Sequence, residues 1–260
     1  RPKVACYVLT HKENHLTKAK AVRNTWLRRC DAFFFASNAD DPSLPAFNVS
    51  TVSSTKSKDR RFLWEKDKAA LLRLYKENLD SDYFLKADDD TFVFLDNLYL
   101  MVANRSSEDS LFFGFHFKQH GGYMSGGAGY VLSRGALRRF VEIGLRDTTK
   151  ICPKVYSTYG EDISMGNCMK NLQVKFVDTR DEKGRHTFLP GDPSLYLSSS
   201  GQGSRRSIYH QYPMQQGFRC CSPHVISFHR ISPEQMYLIE FLVYHVELPS
   251  VSHRDENSIQ

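Results

Sequence analysis

Apolar runs and helical patterns alternate along the chain. Short runs rich in β-branched and aromatic residues, bounded by polar residues, are typical of buried strands. They predict strands over residues 3–9, 32–37, 83–87, 91–95, 111–115, 130–132, 174–177 and 225–228. Apolar residues at helical spacing predict helices over residues 17–29, 62–78, 97–103, 133–145, 161–172 and 233–246. This alternation favours an α/β fold in which helices flank a mostly parallel central sheet.

Two segments fall outside that alternation. Residues 184–217 are polar and rich in serine and glycine, which is typical of a binding loop or a mobile loop. Residues 251–260 form a polar C-terminal tail. No internal repeat is visible, and we expect residues 1–250 to form a single domain.

Composition and charge narrow the possible partners. The chain has 260 residues, of which 41% are hydrophobic and 25% charged, and its formal net charge is +6. It has no long run of lysines and arginines, so nucleic acid is not the expected partner, and dispersed basic charge suits small anionic ligands. No uninterrupted apolar window predicts a membrane span, and no signal peptide is recognisable. The interpretation that the chain is a trimmed ectodomain, without its N-terminal anchor, remains open.

Six cysteines and two glycosylation sequons indicate an oxidising compartment. The cysteines are Cys6, Cys30, Cys152, Cys168, Cys220 and Cys221. Because no pair of CxxC motifs is present, a structural zinc site is not expected, and the even number of cysteines favours disulfides. Asn48 and Asn104 each begin an Asn-x-Ser sequon. Together these features predict a lumenal or extracellular setting.

The cysteine positions suggest a pairing. The first two belong to neighbouring predicted elements, the next two flank a short loop and a helix, and the last two are then left for each other. The expected disulfides are Cys6–Cys30, Cys152–Cys168 and Cys220–Cys221. A vicinal disulfide would stiffen the turn before His229.

Three consecutive carboxylates, Asp88, Asp89 and Asp90, follow the predicted strand over residues 83–87. Their mutual repulsion is relieved when a cation lies among them. In extended backbone Asp88 and Asp90 point to one side and Asp89 to the other. Two oxygen ligands on one side suit Mg²⁺ or Mn²⁺, which keep positions for substrate phosphates. The alternative is a solvated acidic turn, but apolar segments on both sides hold the aspartates near the strand end, where α/β proteins bind ligands.

Three further groups are chemical candidates. His229 follows a predicted strand, and Mn²⁺ accepts imidazole, although a lone histidine is often structural. Residues 123–130 pack small residues between tyrosines, which suits close approach of a sugar or a base, with a plain turn as the alternative. The segment contains neither a GxGxxG motif nor a P-loop lysine. Glu161 and Asp162 open a predicted helix, where they either complement the helix dipole or supply a general base.

These motifs resemble the Fringe-like β1,3-glycosyltransferases. Residues 84–91 (FLKADDDT) are similar to the DxD segment of that family, and residues 123–133 (YMSGGAGYVLS) to its glycine-rich segment. Glu161-Asp162 followed by Gly166 looks like its acidic-pair motif. Three C-terminal segments resemble one galactosyltransferase branch of the family: residues 220–222, 227–229 and 236–245. The resemblance extends from about residue 4 to residue 245.

The resemblance implies a GT-A fold and an inverting, Mn²⁺-dependent enzyme with UDP-galactose as donor. The implied acceptor is the 3-OH of GalNAc that is α-linked to Ser or Thr of glycoproteins, so that the product is the core 1 O-glycan. The resemblance also implies a type II membrane protein of the Golgi with a lumenal catalytic domain, and a homodimer.

Roles for individual residues also follow from the resemblance. Asp90 and His229 would be direct Mn²⁺ ligands with Asp88 beside them, while Asp88 and Asp89 would hold the ribose or a metal-bound water. Asp89 is expected near the nucleotide, as are Thr10 and His11, which end the first predicted strand, and Arg23 on the helix that follows. The resemblance also places Asp59 and Arg60 near the uridine, and the alternative is a set of surface polar residues. Residues expected near the sugars are Tyr123, Gly126 and Gly127 for the donor, and Tyr209 and Tyr212 for the acceptor. Asp162 is the expected base, with Glu161 as the alternative, and helix amides and nearby cations are expected to keep its pKa low.

Other functions fit the residues less well. A phosphohydrolase of the haloacid dehalogenase type needs Asp-x-Asp-x-Thr or -Val, whereas Phe92 is the fifth residue counted from Asp88. A non-catalytic, chaperone-like relative of the family would lack the DxD motif. A Fringe-like β1,3-N-acetylglucosaminyltransferase that uses UDP-GlcNAc stays open, because the residues alone do not fix the donor sugar.

Overall fold

The computed structural model describes residues 1–49, 62–146, 151–153, 160–198 and 208–247. The strands are β1 (Val4–Leu9), β2 (Ala32–Ser37), β3 (Ala46–Asn48), β4 (Tyr83–Asp88), β5 (Thr91–Val93), β6 (Leu111–Gly114), β7 (His116–Phe117), β8 (Tyr123–Met124), β9 (Tyr130–Ser133), β10 (Lys175–Phe176), β11 (Phe188–Leu189) and β12 (Ser227–His229). The α-helices are α1 (Lys20–Asn24), α2 (Leu63–Glu77), α3 (Leu95–Val102), α4 (Arg134–Arg139), α5 (Glu161–Asn171), α6 (Pro193–Leu197) and α7 (Pro233–Tyr244). Single turns of other helix types adjoin α1 and α4, at His15–Ala19, Trp26–Arg29 and Phe140–Gly144.

Seven strands form the central sheet, in the order β10-β6-β9-β4-β1-β2-β3. Strands β3, β2, β1 and β4 are parallel to one another, and β10 is parallel to β6. Strand β9 is antiparallel to both of its neighbours, so within the described sheet it alone runs in the opposite direction. The carboxyl ends of β1 and β4 are adjacent, with Leu9 opposite Asp88. The predicted α/β fold with a mostly parallel sheet flanked by helices is confirmed.

The central sheet separates two apolar layers. Strand β1 is buried along its whole length, so its alternate residues contribute to both layers. Its even-numbered residues pack in the layer that includes α1, α3 and α7, and its odd-numbered residues pack in the layer that includes α2, α4 and α5. The edge of the sheet where β1 and β4 end therefore lies between two fixed layers of helices.

A small second sheet, of order β11-β12-β5, begins where the central sheet ends. Strand β5 follows β4 after a two-residue turn, Asp89-Asp90. Strand β12 is antiparallel to β5 and places His229 opposite Thr91. This pairing brings a residue from near the C-terminus to the three consecutive aspartates.

The predicted helix over residues 17–29 is confirmed only in part, because the helical segment is broken at Thr25. That residue has φ −109° and ψ −109°, and its hydroxyl donates to the Ala21 carbonyl at 2.8 Å, a contact that bends helices. Trp26 is fully buried, and its indole N–H donates to the Thr91 carbonyl at 2.9 Å. The tertiary contact of Trp26 thus replaces the regular helix that the spacing predicts.

The prediction of a binding loop or a mobile loop over residues 184–217 is wrong for its first part. This part contains β11, which pairs with β12, and α6. Asp192 caps α6 by accepting the Ser194 N–H at 2.7 Å. The described remainder, residues 208–217, is largely irregular, as predicted.

The predicted disulfides are confirmed: Cys6–Cys30, Cys152–Cys168 and Cys220–Cys221. The predicted start of the last helix is also confirmed, since Ser232 and Gln235 form a capping box at α7. Asn48 and Asn104 are exposed, as glycan acceptors must be. In the part of the chain described, no helix has the length and apolar character that crossing a membrane requires. The predicted tail, residues 251–260, lies outside the described residues.

Candidate active site

The turn between β4 and β5 presents the three aspartates on two sides, as the alternation of an extended chain predicts. Asp89 points to the segment that follows β1, where it accepts hydrogen bonds from the Thr10 hydroxyl at 2.7 Å and the Asn14 amide at 2.8 Å. Asp88 and Asp90 point instead towards His229, at the end of β12. Asp89 is therefore held by residues that follow β1, whereas Asp88 and Asp90 lie near His229.

Asp88, Asp90 and His229 form a cluster whose potential ligand atoms all lie within 4.8 Å of one another. The His229 Nε2 atom lies 3.1 Å from Asp90 Oδ1 and 3.9 Å from Asp88 Oδ2. Two carboxylates with one imidazole suit Mn²⁺ by their chemistry, because this ion accepts both oxygen and nitrogen ligands. The structure therefore brings together the three residues predicted to hold a metal.

Lys18 is a cation next to this cluster that the sequence analysis did not identify. Its ammonium lies 3.0 Å from Asp90 Oδ2 and 3.8 Å from Asp89 Oδ1. Burial acts to raise the pKa of Asp90, but hydrogen bonds from His229 and Lys18 outweigh it and hold that pKa well below its usual range. Asp90 is consequently ionised at neutral pH, as a metal ligand must be.

Lys86 joins the aspartates to helix α5. It lies in the middle of β4, is fully buried, and donates to Asp88 Oδ1 at 2.7 Å, to the Gly126 carbonyl at 3.1 Å and to Glu161 Oε1 at 3.2 Å. Burial acts to raise the pKa of Glu161, but the charge of Lys86 outweighs it and lowers that pKa. Glu161 is therefore an ionised partner of Lys86.

Asp162, the next residue of α5, has a different environment. Its carboxylate accepts the Gly126 N–H at 3.1 Å and the Ile163 N–H at 2.9 Å. Burial, together with the neighbouring charge of Glu161, raises the pKa of Asp162 to about 7. The expectation that helix amides and cations keep this pKa low is therefore wrong, because burial and the charge of Glu161 outweigh the two amide hydrogen bonds and the charge of Lys86.

The glycine-rich segment leaves room for these side chains. A Cβ atom at Gly126 would collide with Glu161 and come within 3.2 Å of the Lys86 ammonium, and one at Gly127 would collide with the His229 ring. The carbonyl of Gly127 also accepts the Thr91 hydroxyl at 2.8 Å. Both glycines are thus required by protein groups, and their place next to the donor sugar stays a prediction.

The residues predicted to lie near the nucleotide are only partly brought together. Thr10 is buried and bound to Asp89, and His11 lies next to it with its ring 2.8 Å from Glu13. Arg23 is exposed on α1. Asp59 and Arg60 lie outside the described residues.

Lys66, which was not predicted, also lies at the end of β1. Its ammonium donates to the Thr10 carbonyl at 2.9 Å, and burial lowers the pKa of Lys66 to about 8. It occupies the inner side of α2, where the helical pattern expects an apolar residue.

Three tyrosines were predicted near the sugars. Tyr123 lies on β8 against Gly166 of α5. Burial, together with the charges of Asp162 and Glu161, raises the pKa of Tyr123 to about 12. The Tyr209 carbonyl accepts the Lys118 N–H at 2.9 Å, next to β7. The Tyr212 ring packs against His116 of β7, and its centroid lies 3.8 Å from the Arg180 guanidinium. Their role towards an acceptor stays a prediction.

Comparison with known proteins identifies the family. Residues 3–182 match the Fringe-like family. The chain is 40% identical over 258 residues to glycoprotein-N-acetylgalactosamine 3-beta-galactosyltransferase 1 of Xenopus laevis, an alignment that covers 97% of this chain and 69% of that protein. The chain therefore belongs to the Fringe-like family.

Solved structures of two glycosyltransferases are similar to this chain at low identity. Galactosyltransferase LgtC, solved with donor and acceptor sugar analogs, has a TM-score of 0.47 at 13% identity, with 94% of this chain and 97% of that chain covered. A glycosyltransferase involved in glycosylation of the major capsid of PBCV-1 has a TM-score of 0.38 at 12% identity, with 58% and 69% covered.

Proposed function

We propose that this chain is an inverting galactosyltransferase that transfers galactose from UDP-galactose to the 3-OH of GalNAc α-linked to Ser or Thr of glycoproteins, which forms the core 1 O-glycan. The observation that carries this proposal is the 40% identity, over 97% of the chain, to a protein named for that transfer to glycoprotein N-acetylgalactosamine. The site supports it, because Lys86 joins a candidate metal cluster at the end of β4 to the helix that carries a candidate base.

Mn²⁺ is the proposed cofactor. Asp90 and His229 would hold the ion, with Asp88 in reach, since these three offer ligand atoms within 4.8 Å of one another. When bound, the ion neutralises the diphosphate and stabilises UDP as the leaving group. The ammonium of Lys18, 3.0 Å from Asp90 Oδ2, would supply positive charge to the same diphosphate.

Asp162 is the proposed general base. The attacking 3-OH of GalNAc would pass its proton to an Asp162 oxygen as the new bond to the anomeric carbon forms and the bond to UDP breaks on the opposite face. A base whose pKa is about 7 is well matched to a reaction at neutral pH, because an appreciable fraction is ionised and its basicity is still high. Glu161 cannot easily do the same, because its Oε1 already accepts from Lys86.

We further propose that the protein is a homodimeric type II membrane protein of the Golgi with this domain in the lumen. Three disulfides and two exposed sequons support an oxidising, glycosylating compartment. The chain described here would then be the lumenal part, and an N-terminal anchor would supply the membrane contact.

Release of UDP from a panel of UDP-sugars tests the donor and the cofactor together. In the presence of a GalNAc-Thr peptide we expect UDP-galactose to be the preferred donor and EDTA to abolish release until Mn²⁺ is restored. Preference for UDP-GlcNAc would indicate a Fringe-like N-acetylglucosaminyltransferase, and no release from any donor would indicate a non-catalytic family member.

A further inference from the structure

Lys86 has an environment that a lysine rarely has in a protein interior. It is fully buried, and each of its three ammonium hydrogens has an acceptor on a different part of the chain. The acceptors are Asp88 at the end of β4, the carbonyl of Gly126 in the glycine-rich segment, and Glu161 at the start of α5. One ammonium group therefore connects the metal-binding turn to the helix that carries Asp162.

Residues of the two neighbouring strands, β1 and β9, hold the Lys86 side chain in place. The strand register places Tyr7 of β1 and Tyr130 of β9 on either side of Lys86, and the Tyr130 ring centroid lies 5.7 Å from its ammonium. Both tyrosine hydroxyls donate to Asp67 of α2, which is fully buried. Asp67 thereby holds the two aromatic rings that enclose the lysine side chain, so the ammonium has little freedom to move.

Net stability does not account for this arrangement. Removing an ammonium group from water costs several kcal/mol, and well-packed apolar residues often replace a buried ion pair without loss of stability. A position in the centre of a sheet would accept an apolar residue at lower cost. The three directed hydrogen bonds, by contrast, fix distances between groups that the reaction needs at one place.

We propose that Lys86 is a positioning residue for the transfer reaction, which fixes Glu161 and the start of α5 against Asp88 and Gly126 and so holds Asp162 at a constant distance from the metal-binding turn. This inference rests on the proposed function. It assigns Glu161 the role of the anchor that Lys86 holds, rather than that of a proton acceptor.

The comparison of Glu161→Gln with Glu161→Ala tests the anchor without removing the lysine. Glutamine retains an oxygen for Lys86, whereas alanine does not, and in both variants Asp88 and the Gly126 carbonyl still accept two of the three ammonium hydrogens. We expect kcat of Glu161→Ala to be at least about 30-fold below that of Glu161→Gln, with the affinity for UDP and Mn²⁺ in calorimetry changed less than about threefold. Equal kcat values for the two variants would overturn the proposal.

A double variant tests the lysine itself. In Lys86→Met with Glu161→Gln, a buried charge of each sign is removed, so charge balance is retained. We expect its kcat to be at least about 30-fold below that of Glu161→Gln alone, and Lys175→Met, an exposed change on β10, to have no effect. A double variant as active as Glu161→Gln would show that Lys86 only neutralises charge. If the double variant does not fold, the glutamine and alanine variants still decide the question.

Hydrogen–deuterium exchange separates failure of this inference from failure of the proposed function. The amides of Gly126 and Ile163 donate to Asp162, so their exchange reports on the start of α5 without any substrate. We expect faster exchange at both amides in Glu161→Ala than in Glu161→Gln. Unchanged exchange would contradict the positioning role, whereas a wild-type protein that transfers no galactose would contradict only the proposed function.

Discussion

Asp162→Asn is the change that examines the proposed chemistry most closely. Asparagine has nearly the same shape and can still accept one of the two amide hydrogen bonds that the carboxylate accepts from Gly126 and Ile163. It cannot take up a proton from a hydroxyl at neutral pH. Because the loss of one general base is worth roughly 10²–10⁴ in rate, we expect kcat to fall by that factor while donor affinity is largely retained.

The pH dependence supplies a second, independent signature of the same residue. Since the pKa of Asp162 is raised to about 7, the wild-type kcat/KM should increase as pH rises through that value and then level off, because only the ionised carboxylate accepts the proton. In Asp162→Asn this acidic limb should disappear. A wild-type profile that is flat between pH 5 and 8 would contradict the role of a base with this pKa.

Thermal stability should respond to the same group with a definite sign. In the wild type the native pKa is about 7 and the unfolded pKa is lower, so the native state binds more protons between these values and the wild type loses stability as pH rises through this window. The Asp162→Asn variant lacks this pH-dependent contribution to the free energy of unfolding. Its melting temperature should therefore improve relative to the wild type from pH 4 to pH 7 and then stay constant.

Matched variants complete the experiment. Asp96 is the second residue of α3, as Asp162 is of α5, but it is exposed, so Asp96→Asn controls for the loss of a charge at a helix start. Glu161→Gln should lower kcat by less than about tenfold, because glutamine keeps its contact with Lys86. If Glu161→Gln is inactive and Asp162→Asn is active, the two roles are reversed, and if both are active the pair only begins the helix.

The remaining predictions concern the metal cluster. Asp90→Asn and His229→Ala should each abolish the Mn²⁺-dependent increase in UDP affinity measured by calorimetry, and an unchanged increase in either variant would exclude that residue as a ligand. Gly127→Ala should lower kcat and Mn²⁺ affinity together, because its Cβ atom displaces the His229 ring, and wild-type metal affinity would show that the ring has room to move. Lys18→Met leaves Asp90 without its ammonium partner, so it should destabilise the metal-free protein and increase the thermal stabilisation by Mn²⁺. A Mn²⁺-induced change in melting temperature equal to that of the wild type would argue against this pairing.

The spacing of apolar residues and the capping residues predict an element correctly where the conformation they favour also suits the element's tertiary contacts. Strand β2 has the predicted limits, residues 32–37, and α7 begins at the predicted residue, Pro233. The helix over residues 17–29 is confirmed only in part because the buried indole of Trp26 binds the Thr91 carbonyl, a contact with a residue far along the chain. Such long-range contacts leave no local periodicity in the sequence.

The residues of the candidate site also fall into those that the sequence predicts and those that only the structure reveals. Alternation along an extended strand predicts the opposite directions of Asp89 and its two neighbours, and family resemblance adds His229. The three lysines of the site, Lys18, Lys66 and Lys86, were missed although two of them leave a signal. Lys86 interrupts the apolar run of β4, and Lys66 lies on the inner side of α2, where a charged residue needs a buried partner. The raised pKa of Asp162 depends on burial and on the neighbouring charge of Glu161, and the burial is shown only by the assembled structure.

Analysis of the product formed from a GalNAc-Thr peptide, UDP-galactose and Mn²⁺ decides whether the protein carries out the proposed transfer. We expect a peptide enlarged by one galactose, with the linkage shown by NMR to be β and to the 3-position of GalNAc, since inversion at the anomeric carbon of an α-linked donor gives the β product. A peptide that stays unmodified while UDP-galactose and Mn²⁺ are bound, or an α-linked galactose, would contradict it.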